Sequence, residues 1–180
     1  MQDNDCSVRQ VALPLESRIS RKYASPNLAD AYAIRLPNDA ISDPELLARF
    51  IFSRQPPWLS ALMRLRDALV AGFGVKTSKQ LQNPGGQDRA RRIYIFKIYE
   101  TRQHEIVLGE DDRHLDFRLS VLRQAAPSAD QQPRLILSTV VHCHNRFGRA
   151  YIMLIAPFHR LVVQSSLRRA ARAGWPTVGS

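Results

Sequence analysis

His142 and His144 stand two residues apart, a spacing that puts both imidazoles on one face of a β-strand. Two imidazoles so placed can chelate zinc, with His114 or Cys143 as companions. Cys143 would face the other way, however, and no acidic third ligand lies nearby in sequence. The expectation is therefore no metal site, with His142 a half-buried hydrogen-bonding residue at a sheet end and Asn145 the cap of a following helix. Asp111, Asp112 and Asp116 lack the ligand series of a calcium loop and read as an acidic hairpin turn. Asp116 and Arg118 alternate with Leu115 and Phe117, so they share a face. Cross-strand pairing is the plain role for them; on an inward face they would instead anchor a ligand in an apolar pocket. His159 follows Pro157, whose missing N–H loosens the preceding helical turn and can present His159 or Tyr151 inward. Histidine titrates near neutrality, so His142 and His159, with Asp116 as partner, are the candidates for acid–base chemistry. The sequence holds no Gly-x-Ser-x-Gly nucleophile motif and no phosphate-cradling or dinucleotide-binding glycine loop, which argues against hydrolase, kinase and built-in nicotinamide chemistry.

These residues must be positioned by a recognisable run of elements. Residues 1–24 are polar and patternless and are expected to form a loose leader. Asp30–Leu36 alternates as a first strand, ending at Pro37-Asn38. Ser42-Asp43-Pro44-Glu45 carries an N-cap signal and opens a short helix, Pro44–Phe52. After Pro56-Pro57 the apolar spacing of Trp58, Leu62, Leu65 and Leu69 predicts a second helix, Trp58–Phe73, and then a polar loop, Thr77–Arg91. Ile93–Tyr99 is apolar almost throughout and predicts a strand covered on both faces. Glu105–Leu108, with a turn at Gly109-Glu110-Asp111-Asp112, the alternating run from Leu115 to Val121, and Leu135–Cys143 supply further strands. Arg146 to about Ala173 predicts one long helix. The fold class is α+β: a curved antiparallel sheet wrapping a long C-terminal helix, with two short helices after the first strand. The expected organisation is a single domain over 25–174, with 175–180 a tail.

Composition bounds the function classes. The chain has 180 residues, 44% of them apolar and 23% charged, as in an ordinary globular domain able to bury its own core. Two widely separated cysteines, Cys6 and Cys143, make no disulfide framework, and the start lacks a secretory signal pattern; a cytoplasmic protein is expected. The longest apolar run, Ala150–Phe158, is well short of the roughly 20 residues that a membrane span needs. Net charge is +10, and the last fifty residues carry seven arginines and no acid. The arginines fall mainly opposite the apolar positions of the long helix and read as a solvated face. No interleaved exposed aromatics accompany them, so nucleic acid is not the expected partner.

The stretch Val107-Leu108-Gly109-Glu110-Asp111-Asp112-Arg113-His114-Leu115-Asp116-Phe117-Arg118 resembles an uncharacterised bacterial family, the domain of unknown function 2867. Thr139-Val140-Val141, His144-Asn145-Arg146-Phe147-Gly148-Arg149 and Pro157-Phe158-His159-Arg160 carry the same resemblance, as do Asp43-Pro44 and Pro56-Pro57-Trp58. It spans roughly residues 25–172. The resemblance implies a relationship to the broad helix-grip superfamily of lipid and polyketide handlers (START and Bet v 1-like proteins), and a possible partner oxidoreductase, since the family occurs attached to such domains. It carries over no catalytic residue.

The functional expectation is a domain that holds a small apolar or amphipathic molecule between sheet and C-terminal helix, without a cofactor. Tyr94, Phe96, Phe117, Arg118, Val141 and Tyr151 are the expected ligand-binding residues. One alternative is a cofactor-free acid–base enzyme of cyclase, dehydratase or isomerase type in the same pocket. Another is a basic interaction module for an acidic partner or membrane surface. The oligomeric state is left open.

Overall fold

A computed structural model describes residues 6–53, 91–126, 128 and 130–177. Seven antiparallel strands form one curved sheet. In chain order they are β1 (Arg9–Val11), β2 (Leu28–Arg35), β3 (Arg92–Ile93), β4 (Phe96–Thr101), β5 (Glu105–Asp111), β6 (Leu115–Gln124) and β7 (Arg134–Cys143). Helix α1 (Pro44–Ser53) follows β2, and the long helix, here α2 (Arg146–Ala173), follows β7. The spatial order β1-β2-β7-β6-β5-β4-β3 places the last strand beside the second, so β7 lies near the middle and feeds α2 directly.

Each strand sorts its side chains by the period of two. On one face Tyr32, Ile34, Ile106, Leu108, Leu119, Val121, Leu135 and Leu137 make the main core with Leu47 and Ile51 of α1 and Val163 and Leu167 of α2. Ala31, Ala33, Val107, Leu122, Ile136 and Val140 point the other way and are covered by Val11, Leu13 and Ile19 of the N-terminal segment. We call these the inner and outer faces. The α2 start is built as its sequence requires: the Asn145 side chain accepts from the Gly148 N–H at 2.9 Å and contacts His114 at 2.9 Å. Gly148 is obligatory there, because a Cβ would lie 2.3 Å from the His114 carbonyl oxygen.

Four expectations change in the structure. Residues 6–24 do not behave as a loose leader: Arg9–Val11 pairs with Ala31–Ala33, and Ile19 is fully buried. Isolated apolar residues in a polar stretch carry no periodic signal, yet a few suffice to cover a sheet face. The run Ile93–Tyr99 is not one strand but a tight hairpin, Ile93 pairing with Phe96 around Tyr94, which has φ 56°. Its uniform apolarity hid the turn. Strand β5 continues past Leu108 to Asp111, moving the turn to Asp112-Arg113-His114. Gly109 is therefore a strand residue opposite Arg118, where a Cβ would lie 2.3 Å from the Phe117 carbonyl oxygen. Trp175 is no tail residue; it is buried in the core with its ring 6.0 Å from Phe50. Pro157 sits within a helix that runs on through it. The predicted helix Trp58–Phe73 and most of the loop Thr77–Arg91 lie outside the described residues.

The N-terminal segment is clamped by a buried carboxylate. Glu105 accepts from the Ser17 and Ser120 hydroxyls, each at 2.6 Å, and from the Arg18 N–H at 3.1 Å. Replacing it orphans three buried or half-buried donors at once. Glu105→Ala should lower urea-unfolding stability by roughly 3 kcal/mol and expose residues 6–24 to proteolysis before the rest of the domain unfolds.

Candidate functional site

Cross-strand register builds two polar groupings, one on each face. On the inner face Asp30 of β2 is the register partner of Thr139 of β7. Tyr32 stands two residues along on the same face. The next inner row comprises Val141, Phe117 and Glu110, joined across β7, β6 and β5. Val141 packs with Cys143, Ile152, Leu115, Phe117 and Tyr151, so helix α2 roofs this row. Phe96 closes it, 5.9 Å from Phe117 in an edge-on contact, with Phe52 of α1 at 5.2 Å. Beyond Phe96 and Phe117, Arg92 and Glu110 form an ion pair at 3.0 Å.

The polar members of this inner grouping are poorly provided for. The Asp30 side chain is 3% exposed and its Oδ1 lies 3.4 Å from His159 Nε2 of α2, a long contact. Its second oxygen, Oδ2, is buried without a hydrogen-bond partner among the described residues, and so are the Thr139 and Tyr32 hydroxyls. Burial and then the Asp30 charge raise the Tyr32 pKa above its ordinary value, with Gln164 and Arg160 of α2 acting in the opposite sense. Buried polar groups normally find partners, because each orphan costs on the order of 1–3 kcal/mol. Three in adjacent positions on one face, roofed by a histidine, therefore call for an explanation. Cys143, also inner, is buried, which raises its thiol pKa despite nearby Arg149; it is no ready nucleophile.

On the outer face Arg118, Asp111 and Tyr99 satisfy one another, while Tyr23 OH, Ser138 Oγ and His142 Nδ1 are buried without a hydrogen-bond partner among the described residues. Arg118 lies with its guanidinium 3.7 Å from the centre of the Tyr99 ring and pairs with Asp111 at 2.7 Å. Tyr99 donates to the same carboxylate at 2.8 Å. Tyr99 follows the inward Ile98 and so falls on this face, and Gly109 leaves the room above which Arg118 lies. Burial raises the Tyr99 pKa strongly, and its bond to Asp111 raises it further. For Asp111, burial works upward, but the bonds from Arg118 and Tyr99 outweigh it and hold the carboxyl below its ordinary value. Beside them His144 meets Asp116 at 3.1 Å, and His142 stacks on Tyr23 with ring centres 5.4 Å apart.

The expected site residues thus divide. Phe96, Phe117, Val141 and Tyr151 gather on the inner face, and His159 hangs over the neighbouring Asp30–Thr139 row. Tyr94 is on the exposed hairpin turn, 6.5 Å from Phe96. Arg118 does not join them: with Asp116, His142 and His144 it occupies the outer face, so the sheet separates it from the apolar wall. The spacing put Asp116 and Arg118 correctly on a shared face, but a period of two does not say which face is inward. His142 and His144 do approach, with ring centres 5.5 Å apart. Among the described residues no group of three or more His, Cys, Asp or Glu could hold a metal ion. Asp30, Tyr32 and Thr139 were missed, although an aspartate in the inward register of an otherwise apolar strand was a readable signal.

Asp111 gives a pH dependence with a definite sign. Its folded pKa is depressed below the ordinary 3.8, so its contribution to stability is complete above that range and disappears as the pH falls through the folded value. Because its side chain is 53% exposed, the effect should stay below about 1 kcal/mol. Urea unfolding from neutral to acid pH should show a shallower acid-side loss in Asp111→Asn than in the parent chain.

Among the described residues no helix is long and apolar enough to cross a membrane. No curated protein and no solved structure matches the chain. One family model does, over residues 23–166, a range that takes in β2 to β7 and most of α2 and so contains both polar groupings. The chain belongs to the DUF2867 family, a family of proteins of unknown function.

Proposed function

We propose that this chain is a helix-grip domain that binds a small amphipathic molecule between the inner face of the sheet and helix α2. The observation that carries the reading is the row of buried, unpartnered polar atoms, Asp30 Oδ2, Tyr32 OH and Thr139 Oγ1, next to an apolar wall. A ligand with an apolar body would lie against Phe96, Phe117, Val141 and Tyr151. Its polar end would donate to the Asp30 carboxylate and exchange hydrogen bonds with the Thr139 and Tyr32 hydroxyls. The carboxylate asks for a donor, so a hydroxyl or amine fits that end and a second carboxylate does not. Register supports the combination, since Thr139 and Val141 are alternate residues of one strand and reach the same side.

A second reading has one observation in its favour. His159 approaches a buried carboxylate at 3.4 Å, the arrangement by which a carboxylate orients an imidazole for proton transfer. Catalysis would then be cofactor-free acid–base chemistry on the same bound molecule, with His159 as the proton-moving group and Asp30 as its positioning residue. His142, on the outer face and stacked on Tyr23, is not part of that arrangement.

The test compares native and denaturing mass spectra of freshly purified protein and of two variants, Thr139→Val and Asp30→Asn. A mass excess in the native spectrum that vanishes on denaturation, and is lost in both variants, is the expected result. Thr139→Val should at the same time leave stability unchanged or raise it by about 1 kcal/mol, because it removes an orphaned hydroxyl without changing shape. If the parent chain carries no excess mass and Thr139→Val destabilises it, the hydroxyl serves the fold and the proposal fails.

A further inference from the structure

Helix α2 presents to solvent a face that mixes large apolar side chains with arginines. Met153 is 78% exposed, Leu154 55%, Phe158 42% and Leu161 58%. Pro157 is exposed with them. At about 100° per residue these five fall on one side of the helix. Arg146, Arg149, Arg160, Arg168 and Arg172 are exposed on the same half of the helix, before, beside and beyond the apolar group. No acidic residue occurs anywhere in the last fifty positions to neutralise them. The surface is therefore an apolar centre bracketed at both ends by cations along a rod of about 40 Å.

We propose that this face of α2 docks on an anionic lipid bilayer, lying in the plane of the interface. A solvated helix face needs arginines but not four large exposed apolar side chains among them. An anionic bilayer matches both parts of the surface at once. The apolar side chains enter the headgroup–acyl boundary, while the arginines reach outward to lipid phosphates with their aliphatic stems in contact. One continuous helix can lie along a plane, and its charge is complementary to an anionic surface. Binding by this face is independent of the pocket reading: His159 points to the opposite side of α2, and the face would be present in a domain with a solid core.

The experiment is co-sedimentation of the intact chain with phosphatidylcholine vesicles and with vesicles containing phosphatidylglycerol, at low and high salt. Two variants are included, Leu154→Gln/Phe158→Gln and Arg149→Gln/Arg168→Gln. All four positions are exposed, and unchanged circular dichroism and thermal unfolding check that both variants fold. The proposal predicts binding to the anionic vesicles only, weakened by salt and reduced about tenfold or more in each variant. Three outcomes overturn it. One is no binding to anionic vesicles at low salt. Another is binding undiminished by Leu154→Gln/Phe158→Gln, which reduces the effect to diffuse net charge. The third is a dimer in sedimentation velocity that the same apolar variant makes monomeric, which assigns the face to a second copy of the chain.

Discussion

The hydrogen-bonded register that seats Thr139 opposite Asp30 on one side and opposite Leu119 on the other determines which side chains can ever meet in this protein. Strand β7 pairs over its full length with β6 and from Arg134 to Val141 with β2, so neither neighbour can slip by one residue without flipping every side chain to the other face. The same strand delivers the chain into α2, whose first turn is tied to the β5–β6 turn through Asn145 and His114. Pairing and cap together hold His159 above β2 rather than in solvent. The aromatic wall, the buried carboxylate and the long helix are thus consequences of one arrangement of three strands.

The two faces use polar residues in different ways. Outside, Arg118, Asp111 and Tyr99 satisfy one another, and Glu105 satisfies the segment that covers it. These interactions stabilise the fold, and the orphaned outer atoms, Tyr23 OH, Ser138 Oγ and His142 Nδ1, sit apart from the apolar wall. Inside, Asp30 Oδ2, Tyr32 OH and Thr139 Oγ1 are buried without a hydrogen-bond partner among the described residues, and Asp30 has only a long contact, to His159. A face that needed only a core would carry Leu or Val there, as its neighbours Leu137, Leu135 and Val141 do. The contrast explains why the proposed function rests on the quieter inner grouping and not on the denser cluster of titratable side chains outside.

Much of the architecture was legible in the residues. Helix α2 has the bounds that its apolar spacing and Asn145 dictate, and α1 starts at Pro44, where Asp43 accepts from the Glu45 N–H at 2.7 Å. The alternation through Leu115 to Val121 placed β6 and correctly put Asp116 and Arg118 on one face. What could not be read follows from physics that acts across strands. Ile93 to Phe96 turns because Ile93 pairs with Phe96, a contact that no local propensity announces. The inward face of each strand depends on which side α2 packs, so Arg118 was assigned to the wrong wall. The polar leader was judged by its composition, whereas Ile19, Leu13 and Tyr23 matter through where they land. Likewise the exposed apolar side of α2 reads, along the helix alone, as a face meant for a core.

The central claim is that the orphaned atoms of Asp30, Tyr32 and Thr139 belong to a ligand's binding surface. A high-resolution crystal structure of the protein as purified, before any extraction step, addresses it most directly. The account predicts electron density of a bound organic molecule under α2, with a polar atom within hydrogen-bond distance of Asp30 and Thr139 and its body against Phe117, Val141 and Tyr151. Side chains packed solidly into that space, with all three polar groups bonded to other parts of the protein, would contradict it.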